Sequence, residues 1–253
     1  MNKNNLLFYS AYEEFYAMAA KSEVFKNFCK DAFGEDFSQD GFSDIEQINR
    51  ILKYIPKQEY VYILDIGCGN GKMLGYLKEK TGAFVYGFDY SEKAIETAKI
   101  LYPLNSEFSV GVIGEIEYEA EQFDVIISMD TMYFAKDMTS FLAQIKHWLK
   151  SDGILFVGYQ EGDIMPKTND AHTTVLAEAL RENGMQYKVE DITEQVYELL
   201  HKKRAAAEKH KAEFVEEGHQ NWYDMLIWQT EYAQVPMEEF KEKLARYLYV
   251  IHK

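Results

Sequence analysis

The sequence predicts an α/β protein: a doubly wound, mostly parallel seven-stranded sheet with helices on both faces. Three observations predict it. From residue 60 onward, short runs rich in Val, Ile and Phe alternate with stretches of helical periodicity. Those runs lack polar alternation, as strands buried on both faces do. One of them, "VYILDIGCGNGKM", passes through a glycine-rich turn into a helix. Open parallel sheets bind their ligands at such a turn.

The elements follow in order. Residues 5–30 are aromatic and amphipathic and predict one or two helices, after which the glycine-punctuated "FGEDFSQDGFSD" intervenes. "SDIEQ" then supplies a capping start for a helix over about residues 43–52. The core reads as strands "YVYILDIG", "FVYGFDY", "FSVGVIG", "FDVIISMD" and "GILFVGYQ", with helices "GKMLGYLKEKTG", "SEKAIETAKILY" and "MTSFLAQIKHWLK" between them. A helix ("TTVLAEALRENG"), a strand ("MQYKVEDI"), a long helical stretch over about 194–233, another helix and a final strand ("RYLYVIHK") follow. No repeat, low-complexity tract or linker marks a boundary, and four prolines are too few to set one. The expectation is one domain over residues 1–253. It comprises a helical cap (1–58), a ligand-binding core (59–193), a helical lid inserted before the last strand (194–235) and a last helix and strand (236–253).

Composition narrows the function classes. A hydrophobic fraction of 47% with 27% charged residues is ordinary for a soluble globular chain. No apolar run approaches the roughly 18 residues that span a bilayer, and "MNKNNLLFYSAYEEFY" has acids and tyrosines where a secretion signal has an apolar core. Two cysteines, Cys29 and Cys68, make no disulfide framework, so a reducing, cytoplasmic setting is expected. A formal charge of −15 opposes binding to polyanions. The expected partner is a small molecule, not nucleic acid or membrane, and the expected state a monomer or homodimer. His201, His210 and His219 recur every nine residues, which puts neighbours on opposite helix faces. On a continuous helix the outer two stand about 27 Å apart, so no metal site is expected.

The glycine turn discriminates between ligands by its spacing. Gly67, Gly69 and Gly71 give G-x-G-x-G, whereas a dinucleotide fingerprint needs glycine where Lys72 stands. A nucleoside-triphosphate loop needs glycine at Ile66 and Ser or Thr at Met73. Asp65, just before the turn, repels phosphate but suits an ammonium group. Asp89 ends the next strand, where a carboxylate accepts both hydroxyls of a ribose. Together these features suit a nucleoside carrying an amino-acid tail and no phosphate.

On those residues the chain resembles the Rossmann-like (class I) S-adenosylmethionine-dependent methyltransferases of small-molecule type. "VYILDIGCGNGKM" and "VYGFDYSEKAIETAK" match the first two motifs, "FDVIISMDTMYFAKD" the fourth strand and its loop, and "LKSDGILFVGY" the fifth. The resemblance covers residues 60–159, and the four motifs stand in the family's order. It implies an antiparallel last strand and S-adenosyl-L-methionine as cofactor. Asp65, Gly67, Cys68 and Gly69 would surround its methionine part, with Gly71 admitting the helix. Asp89 would bind the ribose and Tyr90 lie beside the adenine. Val112 and Ile113, through their amides, or Glu115 would contact the adenine edge. Met129 and Asp130 would adjoin the cofactor.

Methyl transfer is an in-line displacement that depends mainly on holding two reactants aligned in a dry pocket, with a base optional. The acceptor is expected near "SMDTMYF", facing Tyr133 and Phe134. The D/N-P-P-Y/F signature of nucleic-acid base amino-methylation is absent there. Asp130 has two open readings, helix cap or acceptor contact. Candidate catalytic groups are Asp130, Tyr133 and His172. Two aromatic, acidic segments are expected to close the site, "FYSAYEEFYAMAAKS…FGEDFSQDGFSD" and "GHQNWYDMLIW". They nominate Tyr12, Tyr16, Gln39, Phe42, Trp222 and Tyr223, each with core packing as the alternative; Tyr159 and Glu161 are nominated past the fifth strand. Aromatic faces attract cations by about 0.5–2 kcal/mol, so an amine acceptor is expected first. The alternatives are a hydroxyl or carboxyl acceptor, aminopropyl transfer from the decarboxylated cofactor, and a non-catalytic sensor.

Overall fold

A computed structural model describes residues 6–38 and 41–253. The strands are β1 (Tyr62–Ile66), β2 (Phe84–Asp89), β3 (Ser106–Val110), β4 (Phe123–Met129), β5 (Leu149–Glu161), β6 (Gln186–Asp191) and β7 (Ala245–His252). They form one seven-stranded sheet in the order β3-β2-β1-β4-β5-β7-β6, with β7 antiparallel to both neighbours. The chain runs outward from β1 through β2 to β3, then returns to the other side of β1 with β4. The loops leaving β1 and β4 therefore diverge, and a crevice opens at the carboxyl ends of those strands.

Alternation along the strands feeds two cores. Ile63, Val85, Val125 and Phe156 face α3 (Ile45–Ile51), α4 (Lys72–Thr81), α5 (Glu92–Leu101) and α8 (Thr193–Lys209). Leu64, Ile126, Leu155 and Tyr159 face α6 (Met138–Trp148) and α7 (Val175–Glu182). A third cluster packs α1 (Tyr9–Ala19) and α2 (Glu23–Phe33) against α8, α9 (Lys211–Glu216) and α10 (Gln220–Gln229). The short α11 (Met237–Lys243) leads into β7. Helix starts are set by side-chain caps, with Ser22, Ser91 and Thr174 each accepting an amide three residues on.

Three details differ from the sequence expectation. The stretch 194–233 is three helices and a 3-10 turn: α8 and α9 break at His210, and Gly218 takes a left-handed φ of 79° after α9. The strand expected at "GILFVGYQ" begins earlier, at Leu149, with a register shift opposite Phe123 and Val125. The cap of α3 is Asp44, which accepts the Gln47 amide at 2.9 Å, and the Ser43 hydroxyl bonds Asp130 instead. Among the described residues no helix is long and apolar enough to cross a membrane, and no group of His, Cys, Asp or Glu is placed to hold a metal.

Candidate active site at the carboxyl ends of the first, second and fourth strands

The turn after β1 is tied down by its own amides. Gly67 and Cys68 donate to the Phe88 carbonyl at 2.9 and 3.0 Å, Gly69 donates to Asp89 Oδ2 at 3.0 Å, and Gly71 donates to the Cys68 carbonyl at 3.0 Å. A phosphate cradle needs such amides unspent; here they bind the protein. Gly69 has a left-handed φ of 52°, and a Cβ there would collide with the Tyr16 hydroxyl. Gly71 lets α4 start tightly, since a Cβ would stand 2.9 Å from the Phe108 ring and 3.1 Å from Ala98.

The turn forms one wall of a cavity of about 310 Å³. Asp65, Gly67, Cys68 and Gly69 line it from β1, and Asp89 and Tyr90 from the end of β2. Val112 and Ile113 line it from beyond β3, and Met129, Asp130 and Phe134 from the end of β4. Tyr12 and Tyr16 of α1 roof it, their rings stacked 6.2 Å apart at 25°. Tyr12 also meets Tyr90 edge-on at 6.0 Å.

The acids give this cavity its chemistry. Asp65 is 2% exposed and, among the described residues, has no hydrogen-bond or ion-pair partner. Burial, then the neighbouring Asp89, pushes its carboxyl well above the usual carboxylate range. Asp89 is raised to about 6 by burial, against the lowering effect of the amides of Ser91 and Gly69. Burial also raises the Cys68 thiol and the Tyr16 hydroxyl, the latter with help from Asp89. A buried, unpartnered acid beside a second acid favours a ligand that brings positive charge.

Asp130 caps no helix; Asp137 caps α6. The Asp130 carboxylate pairs with both Nη atoms of Arg246, which is fully buried in β7. The Ser43 hydroxyl donates to Asp130 Oδ2 at 3.1 Å. This triad joins segments more than 200 residues apart in sequence. At the roof, Lys72 Nζ binds Asp36 Oδ2 at 2.6 Å and Ser38 Oγ at 2.7 Å. Ser91 Oγ binds Glu13 Oε1 at 2.5 Å. The sequence nominates none of Ser43, Lys72 or Arg246 for the site; Lys72 alone has a local signal, as the first residue of the helix after the glycine turn.

Other nominated residues lie away from the cavity. Tyr159 and Glu161 are inside β5 on the face opposite Gly158, and Glu161 is occupied by Thr168 through its amide and hydroxyl at 2.8 and 2.7 Å. Tyr133 packs beside Tyr159, ring centres 6.3 Å apart. His172 is exposed and bonds Tyr187 Oη at 3.0 Å. Trp222 packs on Phe15, and Tyr223 beneath Lys211, in the third cluster. Phe42 donates its amide to Asp130 at 3.4 Å, while its ring packs against the core. Glu115 stands outside the cavity lining, 4.0 Å from Lys136. Gln39 lies outside the described residues.

Comparisons with known proteins give a family and a fold. The profile of a family described as "Methyltransferase domain" matches residues 57–233. Phosphoethanolamine N-methyltransferase 3 of Arabidopsis thaliana is 29% identical over 212 residues, covering 77% of this chain and 43% of that protein. The chain thus spans less than half of that relative. The ubiquinone biosynthesis O-methyltransferase of Bartonella quintana is 35% identical over 103 residues, 39% of this chain and 41% of that one. Among solved structures, phosphoethanolamine N-methyltransferase 2 of Haemonchus contortus, in complex with phosphomonomethylethanolamine and S-adenosylhomocysteine, superposes with a TM-score of 0.77. It covers 98% of this chain and 60% of that one at 19% identity.

Proposed function

This chain belongs to the methyltransferase-domain family, and from that membership we propose that it is an S-adenosylmethionine-dependent methyltransferase acting on a small molecule, an amine nitrogen first. The observation that carries the reading is the pair of buried acids, Asp65 unpartnered and Asp89 anchored, across a glycine turn whose amides are spent. Those residues fit a cationic, phosphate-free nucleoside. When bound, S-adenosylmethionine supplies a methyl group activated on a sulfonium. Asp65 would hold the ammonium of its amino-acid tail. Asp89 accepts one amide on each oxygen, from Gly69 and Ser91, and retains lone pairs for two ribose hydroxyls. Tyr90, Val112 and Ile113 flank the base.

The acceptor end is Asp130, Phe134 and the roof tyrosines. Asp130 orients a nucleophile by accepting its N–H, and the tyrosine faces stabilise positive charge as the bond forms. Residues 1–58 and 194–235 serve as cap and lid over the 59–193 core, completed by 236–253. A cytoplasmic monomer or homodimer with no nucleic-acid or membrane partner belongs to the same reading. Support comes from the charge of −15. The names of the similar N-methyltransferases favour an amine. The shorter match to an O-methyltransferase makes a hydroxyl acceptor the second reading.

Calorimetry with S-adenosylmethionine and S-adenosylhomocysteine tests the cofactor assignment, and absence of binding by both sinks it. A screen of ethanolamine-type amines, phenols and carboxylates for release of S-adenosylhomocysteine then decides the acceptor class.

A further inference from the structure

We infer that Arg246 is a positioning residue for the acceptor end of the cavity, holding the Asp130 carboxylate in the ionised, inward-turned state in which it can receive the methyl acceptor. The inference rests on the reading of that end as the acceptor site.

The geometry is specific. Arg246 enters from β7 and reaches past β5 to the end of β4, two strands away. Gly158 of β5 clears the path: a Cβ there would stand 2.6 Å from Arg246 Nη2 and 2.8 Å from Met129 Cε. Arg246 Nη1 donates to Asp130 Oδ1, and Nη2 donates to Oδ2 at 3.1 Å and to Ser43 Oγ at 3.0 Å. The Asp130 backbone is left-handed, φ 62°, and its amide donates to the Gly158 carbonyl at 3.1 Å. That conformation is strained for a residue with a side chain, and the Arg246–Ser43 clasp holds it.

Packing alone gives no reason for the pair. A buried ion pair is often no more stable than apolar residues of the same volume. Arg246 is wholly buried, and burial pulls its guanidinium down to about 9 against the raising effect of Asp44. What the pair supplies is an acid that faces the cavity with its orientation fixed and its charge matched. Without Arg246, Asp130 would share the cavity with unpartnered Asp65 and take up a proton, losing its power to accept an N–H. Asp44 at the start of α3 acts on the Arg246 guanidinium, and Asp65 and Lys136 line the same cavity as Asp130.

The test follows the Asp130 carboxyl by carbon-13 NMR in protein labelled at aspartate, with Asp130→Asn to assign the signal. In Arg246→Met the Asp130 titration midpoint moves up by one pH unit or more, about a tenfold change in proton affinity; in Arg246→Lys it moves up by less. A midpoint unmoved in both variants overturns the inference. Should Arg246→Met fail to fold, Arg246→Lys decides alone. S-adenosylhomocysteine calorimetry on the same samples keeps the two readings apart. Wild-type protein that binds none sinks the methyltransferase reading, whereas bound ligand with an unmoved Asp130 sinks only the role of Arg246.

Discussion

Asp89 Oδ2 accepts the Gly69 amide at 3.0 Å, so the acid that ends β2 also fixes the turn that follows β1. One side chain thereby shapes the cavity wall and offers its remaining lone pairs to a ligand. Replacing it acts on both. Asp89→Ala lowers S-adenosylmethionine affinity by about 10- to 100-fold, the loss of charged hydrogen bonds of roughly 1.5–3 kcal/mol. Calorimetry reads the change directly, and an unchanged affinity contradicts the ribose assignment.

The same acid makes stability depend on pH. Burial raises Asp89 to about 6, above the roughly 3.9 of an unfolded chain. Between those values the native protein holds more protons than the unfolded chain. This contribution is complete below about pH 4 and is lost as pH rises through 6, by about 2–3 kcal/mol. Asp65 shifts in the same direction. Urea titrations of ligand-free protein at pH 4.5 and 7.5 should show Asp89→Asn gaining stability on wild type at the higher pH. Cofactor affinity runs the other way, falling as Asp89 takes up a proton below 6.

Gly69→Ala forces a Cβ into the Tyr16 hydroxyl at a left-handed φ. The expected cost is about 1–3 kcal/mol of stability, with weaker cofactor binding because the wall shifts toward the ligand. Chemical denaturation and calorimetry on one preparation measure both.

Lys72 Nζ fastens Asp36 and Ser38 to the start of α4, with its side chain only 16% exposed and that of Asp36 12%. Lys72→Met removes that clasp at a cost of about 1–3 kcal/mol. Because Phe37 and Ser38 line the cavity, release of S-adenosylhomocysteine should accelerate several-fold in stopped-flow fluorescence. An unchanged release rate argues that the segment plays no part in retention.

Trp222 and Tyr12 are both aromatic candidates, and the fold separates them. Trp222→Ala hollows the helical cluster and costs up to about 3 kcal/mol of stability, while the folded protein keeps its cofactor affinity. Tyr12→Ala strips a cavity wall, and affinity falls by about tenfold through lost aromatic contact. The same calorimetric titration on the two variants distinguishes them.

What was legible in the sequence was what is local. Asp65, the glycines and Asp89 sit in strand-turn-helix units whose geometry a short window dictates, and the parallel sheet follows from the run of such units. Tyr159 misled because side chains alternate along a strand: Gly158 faces the cavity side, so Tyr159 must face α6 and α7. Trp222 misled because an aromatic helix can turn its rings to other helices as readily as to a ligand. Ser43 and Arg246 were illegible for another reason. Their partnership spans 203 residues, and Arg246 stands in a run that otherwise reads as a buried strand.

The place of β7 between β5 and β6 has a consequence for assembly. β6 leaves the ribosome before β7 but joins the sheet only through it, and the clasp on Asp130 arrives with the same strand. A nascent chain can therefore complete the cavity wall from β1 to β3 well before Asp130 meets its clasp. Ribosome-bound fragments stalled before β7 would hold the Asp65–Asp89 end of the cavity and lack the Arg246 clasp on Asp130.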